Sequence, residues 1–131
     1  MSYDDQNIFA KILRGELPCN KVYETEHSLA FHDINPQASI HVLVIPKGPY
    51  RSWDDFSKTA CIEEKTDYIS AIGETARLLG VDKTGYRLLA NHGNDSHQEV
   101  PHLHTHILGG QALGPMLEGG DLPPGAHYNR H

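Results

Sequence analysis

His102-Leu103-His104-Thr105-His106-Ile107-Leu108 alternates imidazoles with apolar or β-branched side chains, and a period of two is the signature of a β-strand. Side chains of a strand point alternately to its two faces, so the three histidines would share one face, spaced about 6.6 Å apart, with Leu103, Thr105 and Ile107 on the other. Three imidazoles in a row with an apolar backing are not an ordinary solvated face; such a row wants a ligand. Working outward, His41-Val42-Leu43-Val44-Ile45 is nearly continuous in apolar, β-branched character, which predicts a central strand stopped by Pro46. Lys21 to Glu24 and Ser28 to Asp33 flank the polar Thr25-Glu26-His27 and read as a hairpin. Tyr86 to Asn91 reads as a further strand, joined to the histidine strand, Leu103 to Leu108, by a polar loop from His92 to His97.

Two helices complete the pattern. Asp4 and Asp5 are candidate caps for a short one in which Ile8, Phe9, Ile12 and Leu13 recur at i, i+4, ending near Gly15 and Pro18. A longer one is expected from about Ser57 to Leu79, with Ile69, Ile72, Ala76 and Leu79 on its buried face and Gly80 at its end. From Gly109 onward glycine and proline dominate and regular structure is not expected, which divides the chain into a domain over 1–110 and a tail over 111–131. Sequential hairpins with two main helices predict an α+β fold on one antiparallel sheet of about five strands.

Composition narrows the function. A chain of 131 residues has room for one core. Lys and Arg number 11 against 17 Asp and Glu, a net charge of −6, which argues against nucleic-acid backbones and anionic lipid as partners. No apolar run approaches the length of a membrane span, and the acidic start Met1-Ser2-Tyr3-Asp4-Asp5 is unlike a secretory signal, so a cytoplasmic setting is expected. Cys19 and Cys61 lack the spacing of a metal ribbon or redox motif. The ten histidines are the anomaly, five of them lying between His92 and His106.

Two ligands suit the histidine row. A His-x-His pair can hold zinc when a third donor and a supporting outer shell are available, but no carboxylate stands in register within the row. A phosphate uses every member: one neutral imidazole attacks phosphorus while a neighbour protonates the leaving group, because histidine titrates near working pH.

The same stretch resembles the His-φ-His-φ-His-φ-φ signature of the histidine triad (HIT) superfamily, and the chain from about residue 7 to 110 is similar to its Hint branch of purine nucleoside phosphoramidases. The segments Asn7 to Ile12, Ala30 to Ala38, His41 to Lys47, Gly85 to Arg87 and His102 to Gly110 carry the likeness. The resemblance implies a nucleotide hydrolase or transferase that passes a nucleotidyl group to His104, with His106 serving the leaving group and His102 and His41 orienting the triad. It further implies that Asp33 meets the ribose, although spacing alone would also allow Asp33 as a turn cap before Asn35-Pro36. Ile8, Phe9, Phe31, His32, Ile34 and Leu43 would line the base slot, and Asn91 the phosphate. AMP or GMP would be the bound nucleotide, with no metal or other cofactor, in a homodimer whose sheet continues across the Tyr86 to Asn91 edge beside the long helix. A dinucleoside polyphosphate hydrolase or nucleotidyl transferase of the same superfamily, or a nucleotide-binding protein with little catalysis, are the alternatives.

Where that branch commonly carries Gly-Gln-Ser, this chain has His97-Gln98-Glu99. A carboxylate about 4 Å from a phosphate costs on the order of 4 kcal/mol at an effective dielectric near 20, so Glu99 is expected to turn away, leaving its N–H and the Gln98 side chain as donors.

Overall fold

The computed structural model describes residues 2–117. Five strands, β1 (Lys21–Glu24), β2 (Ser28–His32), β3 (Ile40–Pro46), β4 (Tyr86–Ala90) and β5 (Thr105–Gly109), form one antiparallel sheet in the order β1-β2-β3-β5-β4. Three helices accompany them: α1 (Ile8–Leu13), α2 (Trp53–Thr59) and α3 (Ile62–Leu78). The hairpin β1–β2 and the central position of β3 follow the sequence pattern. β3 is buried along almost its whole length because both faces of the sheet are covered there, which is why its sequence is continuously apolar.

The two faces differ. On one, Ala30, Val42, Val44 and Ile107 pack against Tyr68, Ala71, Ile72 and Ala76 of α3, with Phe56 of α2. On the other, Leu29, Phe31, Leu43 and Ile45 pack against Phe9 of α1. The register aligns His106 with Leu43 and Leu89, and Leu108 with His41 and Arg87. These partners therefore share the second face, beyond the cover of α1.

Several local expectations are revised. The cap of α1 is Asn7, whose Oδ1 accepts from the Phe9 and Ala10 amides at 3.0 and 2.9 Å, not Asp4 or Asp5. The single helix expected from Ser57 is two: Ala60 adopts an extended conformation, and Ser52 with Asp55 closes a capping box that starts α2 earlier. The buried stripe of α3 runs through Tyr68, Ala71, Ile72, Thr75 and Ala76, so Ile69 lies on the outer side. Strand β5 begins at Thr105, leaving His102 and His104 in the extended segment that leads into it. Residues 110–117 hold no regular element, as expected, and the remainder of the expected tail lies outside the described residues. Among the described residues no helix is long and apolar enough to cross a membrane.

Tyr68 joins α3 to the sheet. Its hydroxyl donates to the Val44 carbonyl at 2.8 Å and lies 2.7 Å from Thr105 Oγ1, at a site with no solvent exposure. Removing that oxygen strands a buried hydroxyl, so Tyr68→Phe should cost about 1–3 kcal/mol. Urea unfolding should show a lower midpoint at an unchanged slope; an unchanged midpoint would mean the bond is not needed.

Candidate active site

A cleft of about 320 Å³ opens between α1, the β2–β3 connection and the loop before His102. That volume is in the range of small-molecule sites. His104 and His106 form part of its wall. Their rings meet edge to face with centroids 5.1 Å apart, and the ring of Phe9 meets His104 in the same way at 5.0 Å.

Hydrogen bonds to backbone groups settle which nitrogen of each ring carries its proton. His104 Nδ1 lies 2.7 Å from the His102 carbonyl. A carbonyl only accepts, so Nδ1 holds the hydrogen and Nε2 keeps a lone pair. Burial lowers the pKa of His104 and keeps the ring neutral near pH 7. The neighbouring pair has the opposite sense. The Gln37 amide donates to His41 Nδ1 at 3.0 Å, so the His41 proton sits on Nε2, which lies 2.9 Å from His106 Nδ1. His106 Nδ1 must accept, and His106 Nε2 therefore bears the hydrogen. Side by side in one wall stand an imidazole whose lone pair and an imidazole whose N–H have no partner among the described residues.

His102 is fully buried and sits behind them. Its Nε2 donates to the Pro46 carbonyl at 2.9 Å, so its Nδ1 accepts from the Tyr3 hydroxyl, which in turn accepts from Asn7 Nδ2 at 2.9 Å. Burial pushes the pKa of His102 down to about 4 and raises that of Tyr3, so both stay neutral. The N-terminal cap of α1 and the histidine segment are thus one hydrogen-bonded unit.

Asp33 sits at the turn after β2. Its Oδ1 accepts from the Asn35 amide at 2.8 Å, so it does cap that turn, while Oδ2 faces His41 Nε2 at 3.4 Å. Ile8, Phe9, Phe31 and Leu43 line the apolar end of the cleft, and His32, Asp33, Ile34 and Asn91 its polar flank and rim. Ile34 is 88 % exposed, so it lies at the rim and not within a slot. Glu99 stands at the mouth, three-quarters exposed, with its carboxylate 2.8 Å from His97 Nε2. Gln98 does not line the cleft. Its Nε2 donates to the Arg51 and Val100 carbonyls and its Oε1 accepts from the Gly93 amide, so the expected phosphate donor is consumed in anchoring the loop.

Asp33, His41 and His106 bring one ligand-type atom each within 4.8 Å of one another. The proton on His41 Nε2 occupies the point where a cation would need a lone pair, and His106 Nδ1 already receives it. These donors fit an internal relay, not a metal.

The matching family model is the HIT domain, over residues 14–113. This chain belongs to the HIT domain family. A HIT-like protein of Azospirillum brasilense with no assigned function is 58% identical over 119 residues, covering 91% of this chain and 98% of the relative. The purine nucleoside phosphoramidase of Escherichia coli is 40% identical over 114 residues, 86% of this chain and 94% of that protein. Among solved structures, a HIT family hydrolase from Clostridium thermocellum aligns with a TM-score of 0.78 at 38% identity, covering 86% of this chain and 96% of that one. A histidine triad nucleotide-binding protein from Candida albicans aligns at 0.72 with 30% identity, covering 88% and 87%.

Sequence reasoning missed Tyr3, Gln37 and His97 in this HIT protein. The first two act through a phenol 99 residues distant from its partner and through a backbone amide, neither of which leaves a motif. His97 ends the short 3₁₀ turn of residues 94–96 in the left-handed region, at φ 62°, where non-glycine residues are uncommon, and that geometry is likewise set by the fold and not by a motif.

The buried imidazoles tie stability to pH. His102 and His106 are both held at about 4, His106 by burial first and then by His104 and His41, against an ordinary value of 6.5. Between those values the unfolded chain binds more protons than the native one, so the stabilisation is complete above the ordinary value and is lost as pH falls towards 4. Urea midpoints measured from neutral pH downward should fall through this window, and a flat profile would contradict the buried, neutral assignment.

Proposed function

We propose that this HIT protein hydrolyses purine nucleoside phosphoramidates, AMP or GMP joined through nitrogen to an amine, by way of a nucleotidyl-His104 intermediate. The observation that carries the reading is the opposed protonation of two neighbouring rings, the lone pair on His104 Nε2 beside the N–H on His106 Nε2. The name borne by the Escherichia coli relative agrees with it.

In this reading the purine enters the apolar end of the cleft between Phe9, Ile8, Phe31 and Leu43, and the ribose hydroxyls meet Asp33, whose Oδ2 keeps acceptor capacity. The phosphate lies against His106 Nε2–H and Asn91. Its negative charge opposes the effect of burial and draws one proton onto the His41–His106 pair, where Asp33 offsets the added charge. His104 Nε2 then attacks phosphorus, the N–P bond to His104 forms, the P–N bond to the amine breaks, and the borrowed proton passes through His106 to the leaving nitrogen. The His102 carbonyl holds His104 Nδ1–H throughout, so the phosphorylated ring carries its positive charge against an acceptor. Water hydrolyses the nucleotidyl-histidine, and the proton it releases restores the balance. Each residue assigned here uses a group its surroundings leave available, and no metal or other cofactor is called on.

The same reading includes a homodimer. β4 is an edge strand, and Tyr86, Leu88 and Ile69 expose apolar surface on the α3 side of the sheet. A two-fold partner would pair the open edge and cover that surface. The two unpaired thiols, Cys19 and Cys61, suit a cytoplasmic setting.

Removing the nucleophile should cost about four decades in kcat/KM, or about 5.4 kcal/mol. His104→Ala assayed on an AMP–amine phosphoramidate tests this; activity within tenfold of the native protein would end the proposal, and trapping of a labelled nucleotide on native but not variant protein would support it. Sedimentation at micromolar concentration should show a species of twice the chain mass, and a purely monomeric profile would refute the dimer.

A further inference from the structure

A further cavity, of about 490 Å³, lies on the α1 side of the sheet, towards β1. It shares Ile12 and Cys19 with the nucleotide cleft, and Leu13 and Leu29 continue its apolar floor. Its polar wall is Lys21, Glu24 and Lys47. Lys47 Nζ donates to Glu24 Oε2 at 2.7 Å and Lys21 Nζ to Oε1 at 2.9 Å, and these two bonds hold the Glu24 carboxyl down at about 2. One carboxylate therefore serves two cations, which leaves one positive charge in excess at this end of a chain whose net charge is −6. Each ammonium has three donors and spends one on Glu24, so donors remain for a second anion.

We infer that this cavity extends the purine slot and takes an acidic substituent on the base, so that the protein favours nucleotides whose purine carries a carboxylate on the ring edge remote from the ribose. The inference rests on the placement of the purine proposed above and adds the class of base that this end of the cleft admits. Strand register gives the direction. Lys21 pairs with Phe31, Phe31 with Leu43 and Leu43 with His106, so these four residues form one row across the sheet. At about 4.8 Å between strands, the Lys21 backbone stands about 14 Å from that of His106. With the phosphate at His106 and the ring over Leu43 and Phe31, the row runs from phosphate through base to ammonium. The exocyclic amine of adenine lies on the edge away from the glycosidic bond, and that edge faces Ile12 and Cys19, the residues common to both cavities. Charge gives the class. A neutral substituent leaves the spare lysine donors unused and a cationic one meets the excess positive charge, whereas a carboxylate answers both. Cys19 adds no competing charge, because burial raises the pKa of its thiol and keeps it neutral.

The test compares, by titration calorimetry, AMP, AMP bearing a carboxyethyl group on its exocyclic amine, and the neutral carbamoylethyl counterpart. Both ammonium groups keep contact with solvent, so the native protein should bind the carboxylate about tenfold more tightly than the amide, and Lys21→Met combined with Lys47→Met should bring that ratio close to one. Glu24→Gln, which removes the competing carboxylate, should widen the ratio. Equal binding of the two substituted nucleotides by the native protein overturns the acidic class. Binding of both about a hundredfold more weakly than AMP means that Ile12 and Cys19 close the slot, and overturns the extension. A ratio that survives the double substitution places the recognition elsewhere and overturns the role of the lysines. Failure of the native protein to bind any of the three removes the purine placement and the extension with it. A tenfold ratio in a protein that hydrolyses no AMP–amine phosphoramidate supports the extension and removes the phosphoramidase reading alone.

Discussion

The bond from His104 Nδ1 to the carbonyl of His102, two residues upstream, is the constraint on which the site depends. It is made within one short extended segment, so forming that segment determines the tautomer of His104 at the same time. The carbonyl cannot move away, because His102 is itself tied at both ring nitrogens, to Pro46 at the end of β3 and to Tyr3 ahead of α1. A mirror-image arrangement governs His106, in which the amide of Gln37 sets His41 and His41 sets His106. Each relay starts from a backbone group, a carbonyl in one case and an amide in the other. Their opposite chemical character is why adjacent rings present a lone pair and a proton to the same cleft.

Burial makes the arrangement costly and useful together. Four neutral imidazoles, three of them buried, resist protonation, which withholds stability in acid but preserves a nucleophilic nitrogen at neutral pH. Had His104 been solvated, its ordinary pKa would leave a substantial cationic fraction unable to attack. The aromatic wall supplied by Phe9 excludes water from the ring without competing for its hydrogen bonds, and because Phe9 is held by a helix whose cap is bonded to Tyr3, the wall and the relay cannot shift independently.

The strands and the histidine row were legible because both are written in short-range periodicity: the apolar run of β3 and the alternation after His102 need only neighbouring residues to be recognised. The break between α2 and α3 was hidden because Ala60 has high helix propensity, and the competing signal, the capping box of Ser52 and Asp55, lies upstream of the expected start near Ser57. Ile69 shares helical spacing with Ile72 and Ala76, so periodicity alone points it inward. The buried stripe instead centres on Tyr68, whose hydroxyl has a partner in the sheet that periodicity cannot reveal. Gln98 shows the limit for the site: its position beside the cleft was readable, but its commitment to Gly93, Arg51 and Val100 is a product of the folded loop.

An acidic protein that is to bind a phosphate must shield it from its own field. Glu99 at the cleft mouth would repel the ligand were it unpaired, and the left-handed turn at His97 brings an imidazole against it. Both side chains are largely solvated, so this pairing contributes little to stability; its effect is to orient the carboxylate towards His97. Asp33 is handled differently. One of its oxygens is satisfied by the Asn35 amide and the other faces the His41 N–H, so its charge is directed at the pair that accepts a proton in the proposed reaction. The negative groups nearest the site are therefore arranged so that one is turned to a surface partner and the other favours the protonated form of the His41–His106 pair, which is the form that the proposed reaction requires.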